Sequence, residues 1–280
     1  MSTKNSKLEI VPIPAFADNY IWALLRDGHS VVVDPGDAAP VIAFLAARNV
    51  ILDAILITHH HADHVGGVAA LTARWAVPVY GPAEENIKGV THALRENDQV
   101  ALPNFVDEPF RVIEVPGHTS GHIAYVSGDI LFCGDTLFAA GCGRLFEGTA
   151  LQLHTSLMRL AALPDTTRVF CTHEYTLSNL RFALAVDGDN NALVERSVVE
   201  QERRTRDVPT LPSSIALERA TNPFLRCAEP ALMQSARRHA NSARSDASGA
   251  RSDANAQHSD FSDPTHVFTV LRQWKNDYRG

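Results

Sequence analysis

The chain has 280 residues, of which 45% are hydrophobic and 20% charged, a composition typical of a globular protein with a substantial core. Its formal net charge of -7 argues against nucleic acid as the main partner, because phosphate binding requires a surplus of Lys and Arg. No stretch approaches the roughly 20 apolar residues that span a bilayer, and residues 1–7 lack the apolar core of a signal peptide, so we expect no membrane partner.

The first part of the chain alternates short apolar runs with turn residues. Residues 34–37, Asp-Pro-Gly-Asp, end one such run and supply a cap for the helix that follows. A later run is unbroken and contains β-branched side chains, which suits a buried strand. The predicted elements are strands over residues 8–14, 20–25, 30–33 and 54–57 and a helix over about residues 39–48.

Residues 58–64 read Thr-His-His-His-Ala-Asp-His and lie between the last of these strands and a helix predicted to reach Trp75. Ligands of an α/β sheet bind at the carboxyl ends of its strands, and imidazole with carboxylate suits zinc, manganese or iron. His59 and His61 alternate, so both can face one ion while His60 faces away. Asp63 and the adjacent His64 would more easily serve a second ion. A loop that is His-rich by chance would rarely hold four potential ligands in six residues, so we predict a metal site.

The middle of the chain contains a second candidate segment. Residues 77–80 and 110–115 are predicted strands, whereas residues 84–97 are polar and predicted to be irregular. The segment Pro-Gly-His-Thr-Ser-Gly-His follows the second strand, and its glycines permit close approach of a ligand. Of its two histidines, His118 is the predicted ligand because it lies at a strand end, as His59 does. His122 opens the next strand and is the alternative, with a structural role preferred.

Two further strand ends carry possible ligands. Asp135 follows a predicted hairpin (residues 123–126 and 130–133); taken alone it would be a helix cap, but beside the histidine loop it is placed to bridge two ions. His173 follows a strand at residues 168–171, after a helix predicted over residues 151–163. Strand-end ligands therefore occur four times, and a shared cleft explains this recurrence better than coincidence.

After Tyr175 the strand patterns stop and helical patterns begin, so we place a domain boundary near residue 176. The predicted domains are residues 1–176 and 177–280. Residues 241–262 are rich in Ser, Ala, Arg and Asp and have few apolar side chains, which predicts a flexible insertion in which His258 is not a ligand. The predicted helices cover residues 177–186, 192–206, about 215–220, 231–239 and 264–278.

The histidine loop, His118, Asp135 and His173 together resemble the ligand pattern of the metallo-β-lactamase superfamily. Five further segments resemble the glyoxalase II family of hydroxyacylglutathione hydrolases. The resemblance covers nearly the whole chain apart from residues 241–262. It implies an α/β fold, namely an αββα metallo-β-lactamase-like sandwich followed by a smaller all-helical C-terminal domain that binds glutathione. The five segments are residues 13–22, 141–149, 173–176, 222–226 and 271–275.

The resemblance also implies a cofactor of two divalent metal ions, with zinc first and iron or manganese as alternatives. One ion would be bound by His59, His61 and His118, the other by Asp63, His64 and His173, with Asp135 as the bridge. Asp63 and Asp135 would act in catalysis with a metal-bridging hydroxide. The residues that match positions of glutathione binding are Arg144, Phe146, Tyr175, Arg272 and Lys275. Some family members carry Lys and Tyr at the first two positions, so Phe146 lacks a hydroxyl that could bond the substrate.

Arg272 and Lys275 lie three residues apart and share one face of the predicted terminal helix. Phe268, Leu271 and Trp274 could anchor that helix on the rest of the domain. Without the family match, the two cations would be interpreted as solvated surface charges. The match instead predicts that they bind the carboxylates of glutathione.

The activity implied is hydrolysis of S-(2-hydroxyacyl)glutathione, such as S-D-lactoylglutathione, to glutathione and a 2-hydroxy acid such as D-lactate, the second step of methylglyoxal detoxification. Two adjacent cations lower the pKa of a shared water from about 15.7 toward ~7, which makes hydroxide available to attack the thioester. A thiolate with a pKa of ~8.5 leaves without prior protonation. The sequence offers no distinctive general acid for an amine leaving group, which favours a thioester over an amide.

Three other functions compete with thioester hydrolysis. A mononuclear iron glutathione-persulfide dioxygenase of the same superfamily would match the first domain but would lack the helical tail. A superfamily nuclease is disfavoured by the negative charge, and a non-catalytic scaffold is disfavoured because all seven ligands remain. Four cysteines without CxxC spacing favour a reducing compartment, so we expect a cytoplasmic protein. We also expect a monomer whose partner is a small molecule.

Overall fold

The computed structural model describes residues 7–247 and 260–279, and its first sheet has six strands in the order β1-β2-β3-β4-β5-β6. β1 to β3 are antiparallel, whereas β3 to β6 run parallel and are joined by crossover connections. The strands are β1 (Glu9–Ala15), β2 (Asn19–Arg26), β3 (His29–Val33), β4 (Ile51–Leu56), β5 (Val79–Pro82) and β6 (His92–Leu94). The helices between them are α1 (Ala38–Arg48), α2 (Ala62–Val65) and α3 (Val68–Arg74).

The second sheet also has six strands, in the order β14-β13-β10-β9-β8-β7. A small two-stranded hairpin follows β10, and helix α4 then leads to β13, which is parallel to β10. The strands are β7 (Gln99–Val100), β8 (Phe110–Glu114), β9 (Ile123–Ser127), β10 (Ile130–Gly134), β11 (Leu137–Phe138), β12 (Gly141–Cys142), β13 (Arg168–Cys171) and β14 (Ser213–Ser214), and α4 covers Ala150–Ala161.

The two sheets pack face to face, as the alternation of buried side chains along β2 shows. Trp22 points into a core shared with the second sheet, where its ring lies 5.0 Å from that of Phe170. Ile21 points to the opposite face, where it packs in a separate cluster with Val41 and Leu45 of α1. The first sheet is thus covered by helices on one side and by the second sheet on the other, and the predicted sandwich is confirmed.

The chain after β13 is mainly helical. Phe268 and Leu271 of the last helix are fully buried, and Trp274 packs against the same core, which confirms the predicted packing face. The helices are α5 (Thr176–Asp187), α6 (Asn191–Thr205), α7 (Ile215–Thr221), α8 (Pro230–Ala247) and α9 (Pro264–Asp277). In the described part of the chain, every helix is too short or too polar to cross a membrane.

Two sequence predictions need correction. The segment predicted to be irregular contains β6. Leu94 is the only buried residue of this strand and His92 is exposed, so the sequence shows no alternation of apolar and polar residues there. The segment predicted to be a flexible insertion, residues 241–262, contains the end of α8, which continues to Ala247, and the buried Phe261. The Ala and Arg residues of that stretch are good helix formers, so the helix extends beyond its apolar pattern. The remainder of the insertion, residues 248–259 with His258, lies outside the described residues.

Candidate metal centre

The histidine loop follows β4 and is anchored from the neighbouring strand. Asp34, at the end of β3, accepts hydrogen bonds from the Thr58 amide at 2.8 Å and from Thr58 Oγ1 at 2.7 Å. A Cβ atom on Gly36 would lie 1.8 Å from the Asp63 carbonyl oxygen, so only glycine allows the two loops to pack so closely. The sequence pattern predicts only that Asp34 ends a strand and begins a turn. In the structure, Asp34 also holds the histidine loop in place.

Three ring nitrogens converge at one end of the loop. His61 Nδ1 lies 3.1 Å from His59 Nε2 and 3.0 Å from His118 Nε2. Zn–N bonds of about 2.0–2.1 Å in a tetrahedron place two ligand nitrogens roughly 3.3 Å apart, so the three nitrogens have a spacing suited to one ion. The structure places His118, the predicted ligand of its segment, in this group.

A second group lies beside the first. Asp63 Oδ2 lies 3.6 Å from His64 Nε2 and 3.5 Å from His173 Nε2, and the three side chains form a second set with metal-ligand spacing. Asn19 Nδ2 donates to the same carboxylate oxygen at 3.0 Å, which fixes its direction. The two sets correspond to the two predicted ligand sets.

Asp135 lies between the two sets. Its Oδ1 is 3.5 Å from His64 Nε2, and its Oδ2 is 3.5 Å from His118 Nε2 and 3.4 Å from His173 Nε2. His64 Nε2 and Asp135 Oδ1 are buried without a hydrogen bond. Leaving such groups unsatisfied costs about 1–3 kcal/mol each, and a cation between them would remove that cost. The residues present therefore fit a binuclear metal centre.

The outward-facing nitrogens of three of these histidines have protein partners. His59 Nδ1 lies 3.1 Å from Thr58 Oγ1, and His118 Nδ1 donates to the Arg144 carbonyl at 2.9 Å. His173 Nδ1 lies 2.8 Å from an Asp18 carboxylate oxygen. Such partners hold a metal-binding imidazole in one orientation and one tautomer.

The electrostatics of the site favour cations. Burial lowers the pKa of His59 well below its usual value, so its ring is neutral and able to bind a metal. Burial opposes the charged form of His173, but Asp135 and Asp18 outweigh it and raise its pKa to about 9. Burial likewise opposes ionisation of Asp135, yet His64 and His173 hold the pKa of its carboxyl well below the ordinary range. The carboxylates thus create a negative potential that a divalent ion would neutralise.

The two remaining histidines of these segments have other contacts. His122 is fully buried, its Nε2 accepts from the Asp135 amide at 3.1 Å, and its ring stacks on His59 with centroids 4.6 Å apart. His60 faces the carboxylates of Glu85 and Glu147, at 3.0 and 3.3 Å. Neither ring lies in a group of the described side chains with metal-ligand spacing.

A cleft of about 550 Å³ extends from the metal centre to the helical part of the chain. Tyr175 stacks on His173 with centroids 4.7 Å apart, and Phe146 contacts His61 edge-on at 5.5 Å. Burial raises the pKa of Tyr175 to about 12, with Asp18 adding to the effect. All five predicted substrate residues line this cleft: Arg144, Phe146, Tyr175, Arg272 and Lys275.

Comparison with known families decides what this combination of sites represents. Residues 17–173 match the metallo-beta-lactamase superfamily, and residues 174–278 match the hydroxyacylglutathione hydrolase C-terminus. The chain belongs to the hydroxyacylglutathione hydrolase family. Proteins named hydroxyacylglutathione hydrolase are similar over nearly the whole length. The one from Alkalilimnicola ehrlichii is 52% identical over 96% of this chain and 98% of its own, and the one from Nitrosomonas europaea is 48% identical over 98% and 97%.

Among solved structures, the fold of this family member is similar to the crystal structure of TTHA1623 in a di-iron-bound form. The TM-score is 0.55 and the sequence identity 27%, over 77% of this chain and 100% of that chain.

The C-terminal cations of this family member are not solvated surface charges. Arg272 is only 4% exposed, and its guanidinium donates to the Cys142 carbonyl at 3.0 Å and to Asn276 Oδ1 at 3.1 Å. Lys275 Nζ donates to the Ser178 carbonyl at 3.0 Å. Arg272 therefore joins α9 to β12 as well as facing the cleft, a structural contribution that sequence spacing did not reveal.

Sequence reasoning also missed the residues that orient the ligands. Asp18 and Asn19 lie between the predicted strands at residues 8–14 and 20–25, and they contact His173 and Asp63. Their only signal in the sequence was their place in residues 13–22, one of the segments that resemble the family.

Proposed function

We propose that the chain is a metal-dependent thioester hydrolase that converts S-(2-hydroxyacyl)glutathione to glutathione and a 2-hydroxy acid. The observation that carries the proposal is one cleft in which two sets of metal-ligand side chains face Arg272 and Lys275 of the C-terminal helix. Relatives named hydroxyacylglutathione hydrolase, about half identical over nearly the whole chain, support it. S-D-lactoylglutathione, with D-lactate as the acid, is the substrate to test first.

We assign seven residues to two divalent metal ions, zinc first, with iron or manganese as alternatives. The convergence of unpaired buried atoms supports the assignment, and the di-iron form of TTHA1623 supports iron as an alternative. When bound, the ions supply a hydroxide at neutral pH and positive charge for the oxyanion of the thioester. The residues are His59, His61 and His118 for one ion, Asp63, His64 and His173 for the other, and Asp135 between them.

The residues around the ions have separate tasks. Asp135 provides the carboxylate between the two sets, Asp63 belongs to the second set, and both act in catalysis. Lys275 and Arg272, which line the same cleft, provide positive charge for the carboxylates of glutathione. The leaving thiolate has an ordinary pKa of ~8.5 and needs no proton from the protein.

The test is hydrolysis of S-D-lactoylglutathione by purified protein, with metal content measured on the same sample. We expect turnover that depends on metal and a content approaching two ions per chain. The alternative is a mononuclear iron glutathione-persulfide dioxygenase, which would show one iron per chain and consume oxygen when glutathione persulfide is added. The match of residues 174–278 to the hydrolase C-terminus favours hydrolysis.

We further propose a catalytic domain at residues 1–176 and a helical, glutathione-binding domain at residues 177–280. The change from strands to helices at the start of α5 supports this boundary, although β14 joins the second sheet from the helical side. We also propose a cytoplasmic monomer that acts in methylglyoxal degradation. Four buried cysteines without disulfides support a reducing compartment.

A further inference from the structure

The hairpin formed by β11 and β12, residues 137–142, connects two parts of the metal centre. Asp135, between the two ligand sets, lies two residues before it. Arg144, whose carbonyl accepts from His118 Nδ1 at 2.9 Å, lies two residues after it. A displacement of this hairpin would therefore move both Asp135 and the partner that orients His118.

The turn of the hairpin is bonded to side chains from the helical part of the chain. The Ala140 amide donates to Glu218 Oε2 at 2.8 Å, and the Ala139 carbonyl accepts from Asn179 Nδ2 at 3.1 Å. Ala140 has a φ of 53°, a conformation that a residue with a side chain seldom adopts unless its surroundings hold it. Ala140 is also fully buried, so its amide has no access to water as a substitute partner.

Asn222 holds the two ends of the same turn. Its Nδ2 lies 3.2 Å from the Phe138 carbonyl and 2.9 Å from the Gly141 carbonyl, and it also contacts Glu218 Oε2 at 2.9 Å. Asn222 and Glu218 are both fully buried. One carboxylate and one amide thus act together on three backbone groups of the turn.

Glu218 is fixed in turn from its other side. Its Oε1 accepts from Arg196 Nη2 at 2.6 Å and from Ser213 Oγ at 2.5 Å. The Arg196–Glu218 ion pair is almost completely buried. A buried ion pair is often no more stabilising than apolar packing would be, so its presence points to a requirement for fixed geometry.

We propose that Glu218, with Asn222, is a positioning residue for the metal centre: it fixes the hairpin, and the hairpin sets Asp135 and the orientation of His118. The inference rests on the proposed thioester hydrolase function. It gives the helical domain a role in ordering the metal site that is separate from binding glutathione.

The test compares Glu218→Ala, which removes the acceptor of the Ala140 amide, with Glu218→Gln, which keeps one acceptor oxygen. Leu45→Ala is the matched control, because Leu45 is buried in the separate core cluster under α1 and makes no contact with the hairpin. Each protein is reconstituted with cobalt(II). The measurements are the cobalt absorption spectrum, the cobalt content, the melting temperature, and kcat and KM on S-D-lactoylglutathione.

We expect Glu218→Ala to lower kcat by about 10- to 100-fold, as loss of an outer partner of a metal ligand usually does. KM should change by a smaller factor than kcat, because Lys275, which is assigned to glutathione, is bonded to the Ser178 carbonyl and not to the hairpin. The cobalt spectrum should change as well, and Glu218→Gln should restore part of both kcat and the spectrum. Leu45→Ala should lower the melting temperature while leaving the spectrum and kcat close to those of the wild type.

If Glu218→Ala does not fold, Asn179→Ala carries the test, since it removes the bond to the Ala139 carbonyl alone and should shift kcat and the spectrum in the same direction. A folded hairpin variant with wild-type kcat and spectrum would overturn the proposal. So would equal losses in Leu45→Ala, because they would reflect general destabilisation. If the wild-type protein does not hydrolyse the thioester, the proposed function fails, while the cobalt spectra still decide the positioning role.

Discussion

Asp34 accepts two hydrogen bonds from Thr58, one from the amide at 2.8 Å and one from the hydroxyl at 2.7 Å. Asp34→Ala would leave that buried amide without a partner, which we expect to lower the free energy of unfolding by about 1–3 kcal/mol. It should also weaken metal binding by about 10- to 100-fold, because Thr58 precedes the ligand His59. Denaturant unfolding and metal titration check the two effects.

The neighbouring Asp37 gives the matched control for this prediction. Its carboxylate caps α1 by accepting from the Ala39 amide at 2.9 Å, and Asp37→Ala should cost about 1 kcal/mol of stability. It should leave metal affinity unchanged. Equal loss of metal in the two variants would contradict a specific role for Asp34.

Asp135→Ala should lower the hydrolytic activity more than His122→Ala does. Asp135 contacts both ligand sets, whereas His122 contacts the Asp135 amide and stacks on His59 without belonging to either set. We expect Asp135→Ala to reduce the metal content, and His122→Ala to lower stability while largely retaining metal. Elemental analysis with thermal unfolding distinguishes the two. Loss of metal from His122→Ala but not from His118→Ala would show that the two histidines were assigned in the wrong order.

The affinity for the glutathione thioester should fall as the pH rises through about 8. Burial lowers the pKa of Lys275 to about 8. The positive charges of Arg272, Arg181 and Arg144 add to this shift, whereas Cys142 opposes it. The protonated amine is the form that can bind a carboxylate, so its contribution is present below this pKa and lost above it. KM measured at several pH values between about 7 and 9 should therefore increase.

Lys275→Arg provides the control, because a guanidinium keeps its charge up to a pH of about 12. Its KM should be nearly independent of pH over the same range. An increase in KM equal to that of the wild type would assign the titration to another group.

Arg272→Ala and Lys275→Ala should differ in their effect on stability. The Arg272 guanidinium is buried, donates to the Cys142 carbonyl and lies 5.1 Å over the Phe224 ring, so its loss should lower the melting temperature as well as raise KM. Lys275→Ala should raise KM and largely spare the melting temperature. Turnover of a small thioester without the peptide should be unaffected in Lys275→Ala. Equal losses on both thioesters would show that Lys275 acts through folding.

Phe146→Tyr should lower KM for the glutathione thioester. Phe146 is 63% exposed at the mouth of the cleft and contacts the rings of His61 and His118 edge-on. A new hydroxyl there could bond the substrate, and one net hydrogen bond of about 0.5–1.5 kcal/mol corresponds to a change in KM of roughly two- to tenfold. Phe146→Leu, which adds no donor, should not lower KM.

Much of the candidate site could be predicted because its residues follow strands. A continuous apolar run in the sequence predicts β4. The ends of the strands that precede His118, Asp135 and His173 could be located from apolar runs in the same way. Strands of a sandwich that end at one edge bring their following residues together. The sequence was therefore enough to predict which side chains converge, though not that His61 would face the others through Nδ1.

Elements with little apolar surface could not be predicted in the same way. β6 and β14 are two or three residues long, and their pairing depends on neighbouring strands rather than on their own side chains. The predicted helix ended at His239, where the apolar pattern of the sequence stops, whereas α8 continues to Ala247.

By itself, the sequence determined which polar side chains follow strand ends and where the helical tail begins, because both rest on local patterns of side chains, and it indicated the sandwich through its family resemblance. Only the tertiary structure decided what holds those ligands in place. His173 is oriented by Asp18, 155 residues away, and the Ala140 turn by Glu218, 78 residues away. Polar side chains that find partners at such separations have no characteristic spacing in the sequence, and only the packing of the two domains brings them together.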